Sequence, residues 1–243
     1  MRSRGYVSNE LVHWTGREKS DAEAFAILRA ICSEEILRLS YCPNHVNAGY
    51  RKESAMVCFT DIPLRHSREH CSKFGRFGIG FSKSRMIEYG ANPVHYTTRA
   101  HFEKIVHVAR MLERMKDSEK DREWKEDGEP YSFTENETVA LLEVGEFLQE
   151  YAYKNEDHSS YVTYYQREWR LTFNSLPFAG GTSEHRPGMS CFYIRDGKSY
   201  RVFKFSPDDI EFLIVPWRYY LKSRQLAKRY GYKVKCYELH VGT

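Results

Sequence analysis

Apolar residues recur along the chain at two spacings, and the spacing assigns most of the elements. Between Arg99 and about Lys116, Phe102, Ile105, Val106, Ala109, Leu112 and Met115 fall at helical intervals, which predicts an amphipathic helix. A second long helix is predicted over roughly residues 136–154, with Val139, Leu142, Val144, Phe147, Leu148 and Tyr151 inward. A third follows Ser20 or Asp21 as N-cap, with Phe25, Leu28, Ile31 and Cys32 on one face. Alternating or β-branched and aromatic runs predict strands within "GYVSNELVHWTG", ended by Gly16, and at "SAMVCFTDIP", stopped by Pro63. "RFGIGFSK" and "YYQREWRLTF" read as two more strands, and "NPVHYTT" as extended. Short helices are expected at "LRHSREHCSKFG", closed by Gly75, and at "SRMIEYG", closed by Gly90. The tail from Tyr200 reads strand, turn, strand, helix, strand. "KDSEKDREWKEDGEP" is an apolar-poor connection and "PFAGGTSEHRPG" a loop. No repeat and no clear linker interrupts the pattern. The expectation is a single α+β domain over residues 1–243 with a helical insertion at 99–154.

Composition narrows the class. The 243 residues are 41% hydrophobic, 29% charged and 15% aromatic, a globular profile with a heavy aromatic load. A formal net charge of +4 permits an acidic partner without demanding one. The six cysteines form no CxxC pair, no apolar run follows Met1, and no segment approaches the ~20 apolar residues of a membrane span. A cytoplasmic protein with reduced thiols and no membrane contact is expected.

Three stretches carry candidate chemistry. In "YYQREWRLTF", period two puts Gln166, Glu168 and Arg170 on one face and Arg167 and Trp169 on the other. That polar face is either an exposed ion pair or the floor of a site. In "HWTG", His13 and Thr15 share a strand face. In "FTDIPLRHSREHCSKFGRFGIGFSK", His66 and His70 are one helical turn apart, a spacing that could hold zinc with Asp61 or His95 as a distant ligand. Structural histidines that cap and pack the turn are the plainer reading. There is no P-loop, no dinucleotide-binding glycine pattern and no G-x-S-x-G. A lone carboxylate does not favour a two-carboxylate hydrolase.

A histidine ending the first strand, a later strand with glycines between aromatics, and a Gln-x-Glu strand together resemble the ADP-ribosyltransferase layout. "HWTGR", "CFTDIPL" with two histidines, "FGIGFSK", "NPVHY", "EWRL" and "DDIEFLIVP" resemble, in order, AbiGi-type abortive-infection proteins over about residues 10–218. That family carries an antitoxin label, whereas the residue pattern is similar to ADP-ribosyltransferase toxins, and the expectation follows the pattern. The resemblance implies an ADP-ribosyltransferase-like split β-sandwich acting on NAD. Glu168, with Gln166 beside it, would steady the oxocarbenium-like state. His13, Thr15, Gly16 and Arg17 would hold the adenosine side, and Thr60, Asp61, Phe77, Phe81 and Ser82 would shape the nicotinamide pocket. Gly80 stands where a stacking tyrosine is found in poly(ADP-ribose) polymerases, so Phe77, Phe81, Tyr89 or Tyr96 would replace it. Arg17, Arg65 and Arg170 are candidate diphosphate partners.

The expected function is therefore an NAD-dependent mono-ADP-ribosyltransferase toxin of a phage-defence system, with a cognate antitoxin protein. Arg, Lys and Tyr alternate in the tail helix, which points to a nucleic-acid acceptor, RNA ahead of single-stranded DNA. Two other readings stay open: a catalytically inactive antitoxin or binding module of the same fold, and a zinc-dependent nuclease or hydrolase.

Overall fold

The computed structural model describes residues 8–43, 53–120, 144–154, 160–173 and 187–241. The predicted helix over 136–143, the charged stretch at 121–130 and the loop at 177–186 lie outside the described residues. In chain order the elements are β1 (Glu10–Thr15), α1 (Asp21–Glu34), β2 (Ile36–Arg38), β3 (Ser40–Pro43), β4 (Glu53–Thr60), α2 (Arg68–Phe74), β5 (Phe77–Ser82) and α3 (Lys83–Glu88). They continue with β6 (Asn92–Pro93), β7 (His95–Thr97), α4 (Arg99–Lys120), β8 (Leu148–Glu150), β9 (Ala152–Lys154), β10 (Ser160–Val162) and β11 (Glu168–Thr172). Last come β12 (Ser190–Arg195), β13 (Lys198–Lys204), β14 (Ile210–Val215), α5 (Tyr220–Tyr230), β15 (Lys233–Cys236) and α6 (Tyr237–His240). The class is α+β, as the patterning predicts.

The chain divides into two compact units. The first comprises Met1–Ser40, Met56–Pro93 and Gln166–Thr243. Its main sheet runs β15-β14-β5-β1-β4-β11-β6, antiparallel throughout except for the parallel β14–β15 edge. Parallel neighbours need a crossover, and α5 supplies it. A smaller sheet, β12-β13-β2, completes the unit. α1 begins at a reciprocal cap in which Ser20 and Glu23 satisfy each other's backbone N–H. It buries Ala24, Leu28 and Cys32.

Residues directly opposite in antiparallel strands share a face, so the register sorts the side chains. Phe212, Gly80, Val12, Thr60 and Glu168 form one row across five strands. On that face Val12, Trp14, Phe212 and Ile214 pack with Cys71 and Phe74 of α2, Tyr237 of α6, and Val241. Gly78 and Gly80 are required there, because an added Cβ would lie 2.9 Å from the Trp14 ring or 2.4 Å from the Phe212 ring. On the other face, Phe81 meets Phe59 and Phe205 edge-on, and Phe77 meets Phe25 of α1.

The second unit comprises Tyr41–Ala55 and Val94–Tyr165. Here the structure corrects the helix predicted to run to residue 154. Leu148–Glu150 pairs in parallel with His95–Thr97, and Ala152–Lys154 pairs antiparallel with Ser160–Val162. A short apolar run fits either period, and strand partners distant in sequence claimed this one. Tyr96, Tyr151 and Tyr164 pack ring on ring, and Thr163 Oγ1 donates to the carbonyls of Glu150 and Tyr151.

Candidate functional site

Glu168 is the first residue of β11, and the chain reaches it irregularly. Thr163–Gln166 form a 3-10 turn, and Arg167 takes φ +44°, a left-handed backbone uncommon for a side chain of its size. The period-two face drawn from Gln166 to Arg170 therefore breaks at Arg167, and Gln166 is not on the strand. Its carbonyl instead accepts a 2.7 Å hydrogen bond from Thr60 Oγ1, which in turn accepts from the N–H of Ile62. Thr60, fully buried, thus pins the end of β4 to the start of β11.

The turned-out Arg167 has a partner. Its Nε lies 2.9 Å from Asp61 Oδ1, and Lys83 Nζ lies 3.0 Å from Asp61 Oδ2. Lys83 also sits 4.5 Å above the Trp169 ring. Asp61 is almost out of solvent and is balanced by two cations, a compensation that a buried carboxylate needs. The expected nicotinamide-pocket residues Thr60 and Asp61 are both committed to holding this junction together.

Glu168 itself is clamped. Arg170 Nε lies 2.9 Å from Oε1 and its Nη2 3.4 Å from Oε2, both side chains being largely buried. An ion pair does form on this face, but within one strand and largely buried rather than exposed, with Arg170 as the clamp of Glu168. His70, on α2 over the same face, stacks on Phe74 with ring centroids 4.5 Å apart. Burial pushes the His70 imidazole down to about 4, against a smaller upward pull from the Glu168 carboxylate.

His13 and Thr15 occupy the opposite face of the sheet from Glu168, since they alternate with Val12 and Trp14. His13 Nδ1 donates to the Cys58 carbonyl at 3.0 Å, its ring meets Phe59 edge-on, and burial lowers its pKa. Gly16 has φ +86°, and a Cβ there would strike Ala24 of α1 at 2.3 Å, so packing explains it. Arg17 is exposed and pairs with its neighbour Glu18. Phe77 and Phe81 are buried among other rings, and Ser82 Oγ bonds to Ser84 Oγ. Tyr89 donates to the Asp209 carboxylate. The structure brings Thr60, Asp61 and Glu168 together, but a sheet separates Glu168 from His13 and Thr15.

The zinc arrangement does not assemble. His66 Nε2 accepts from Arg65 Nε, and among the described residues no three His, Cys, Asp or Glu side chains converge to hold a metal. No described helix is long and apolar enough to cross a membrane.

One surface escaped the sequence reading. Trp217, Leu221 and Leu239 are 64%, 73% and 74% exposed. α5 buries Ser223 and Ala227, which leaves Leu221 on the outward side of the helix.

Residues 26–216, more than half of the chain, match the family described as "Putative abortive phage resistance protein AbiGi, antitoxin". No curated protein and no solved structure matches. The antitoxin description overturns the expectation of an ADP-ribosyltransferase toxin, and it agrees with a carboxylate already clamped by its own strand.

Proposed function

Because this chain belongs to the AbiGi family of abortive phage resistance proteins, described as antitoxins, we propose that it is a non-catalytic antitoxin that acts by binding a cognate toxin protein. The observation that carries this reading is the state of Glu168. Both of its oxygens are engaged by Arg170, and His13 and Thr15, expected to hold the other end of the same ligand, lie across the sheet. A carboxylate that stabilises a developing cation must be free to face it, with its partners preorganised on the same side. Here the acid, its clamp and the Asp61 cluster form a structural junction that fixes the β4–β11 edge. What such a scaffold offers a partner is its surface.

The test is complex formation. The chain is co-expressed with a candidate cognate toxin, and the pair is run by size-exclusion chromatography. Co-elution at a fixed stoichiometry is expected. Separate elution, together with release of nicotinamide from labelled NAD that depends on Glu168, would overturn the reading.

A further inference from the structure

Charge is not spread evenly over this molecule. Residues 212–237 hold seven of the 37 Lys and Arg (Arg218, Lys222, Arg224, Lys228, Arg229, Lys233 and Lys235) and none of the 33 Asp and Glu. The rest of the chain is left with 30 against 33, so the net positive charge resides in this one segment. The fold then concentrates it further. β14 and β15 are parallel, with Val215 opposite Cys236, so Pro216–Trp217 and Tyr237–Leu239 leave the same end of the sheet side by side. The Trp217 N–H donates to Glu238 Oε2 at 2.9 Å, which holds the two departures together.

α5 buries one stripe, Ser223 and Ala227. The exposed side of α5 and of the Trp217–Tyr219 turn before it presents Trp217, Leu221, Arg224 and Lys228 along one line and Arg218, Lys222, Gln225 and Arg229 along the next. Trp217 and Leu221 lie at the start of the helix with Arg218 and Lys222 beside them, and the Trp217–Glu238 bond holds the turn that carries Leu239 next to Trp217. Among the described residues, none of Arg218, Lys222, Arg224, Lys228 and Arg229 is ion-paired with a carboxylate.

We propose that Trp217, Leu221 and Leu239, rimmed by the α5 cations, form the docking surface for an acidic protein partner, which offers an apolar pocket bordered by carboxylates. The proposal rests on the antitoxin reading and locates its interface. A nucleic acid would use the cations and the indole, but two leucines exposed to nearly three quarters of their area gain nothing from phosphate or solvated base edges. They gain from an apolar pocket. A central Trp with flanking Arg is also the composition of interface hot spots, and a charged rim steers encounter.

The experiment uses the full chain and the cognate toxin with which it co-elutes, with growth rescue and calorimetric affinity as readouts. Trp217→Ala and Leu221→Ala are each expected to weaken binding about 30-fold. Arg218→Glu with Lys222→Glu should slow association at least about tenfold, and raising salt should produce the same loss in wild type. Ile194→Ala, an equally exposed residue on β12, serves as the surface control and should bind like wild type. The α5 positions are exposed, so unchanged circular dichroism should show that the variants fold. If wild type rescues and binds while the α5 variants match it, the docking surface is wrong and the antitoxin reading stands. If wild type neither rescues nor binds, both fall. Tight binding of labelled single-stranded RNA or duplex DNA that depends on Trp217, without toxin binding, would overturn the protein partner.

Discussion

Asp61 sits nearly out of water between Lys83 and Arg167, so removing its charge takes away the carboxylate that both cations share, at a junction that also holds a left-handed residue. Asp61→Ala is expected to cost about 3–5 kcal/mol, read by urea unfolding at neutral pH. A loss below about 1 kcal/mol would mean that the cluster is solvated. His70 gives a pH signature. The unfolded chain protonates it near its ordinary value of 6.5, whereas the folded protein resists until about 4. Between those values the unfolded state binds more protons, so stability is complete above about pH 6.5 and declines as pH falls towards 4. His13 shifts in the same direction. His70→Phe should flatten the decline between pH 7 and 4.5 by about 2 kcal/mol, after allowance for partial solvent screening. Identical slopes for the two proteins would show that His70 titrates normally.

Strands and helices in this chain were readable wherever one face was buried and the run was long. β1, α1, β4, β5 and α5 fall where the periodicity places them, and Gly75 and Gly90 end their helices with positive φ. Three things were not readable, each for a physical reason. The run at Val144–Tyr151 fits a helix by spacing, but its second half pairs with a strand about fifty residues earlier. The turn at Arg167 depends on an ion pair to Asp61, which no local pattern encodes, so Gln166 was placed on a strand face it does not share. The role of Gly80 depends on Phe212, a ring from a strand more than a hundred residues later. Gly80→Ala should cost about 1–3 kcal/mol, because the Phe212 ring must move. Adding Phe212→Leu should recover part of that loss, a non-additivity seen as a smaller drop in thermal midpoint for the double variant than for the sum of the singles. Full additivity would mean that the ring and the glycine do not compete.

At the scale of the whole molecule, candidate chemistry and likeness to a family pointed in different directions, and the family's antitoxin description favours the second. His13, Thr15 and Glu168 are close in the sheet's register yet face opposite ways, a fact fixed only once strands are paired and counted. The surface that remains exposed, apolar at Trp217 and basic beyond it, was visible in sequence as a basic helix, but its leucine was not separable from a core leucine there. The central claim is that this chain neutralises a toxin by binding and that Glu168 serves the fold. It is tested most directly by growth rescue of cells expressing the cognate toxin, with wild type and Glu168→Gln compared at matched soluble levels. Equal rescue by both, with no nicotinamide released from NAD by either, is the predicted result. Loss of rescue in Glu168→Gln, accompanied by NAD turnover in wild type alone, would contradict it.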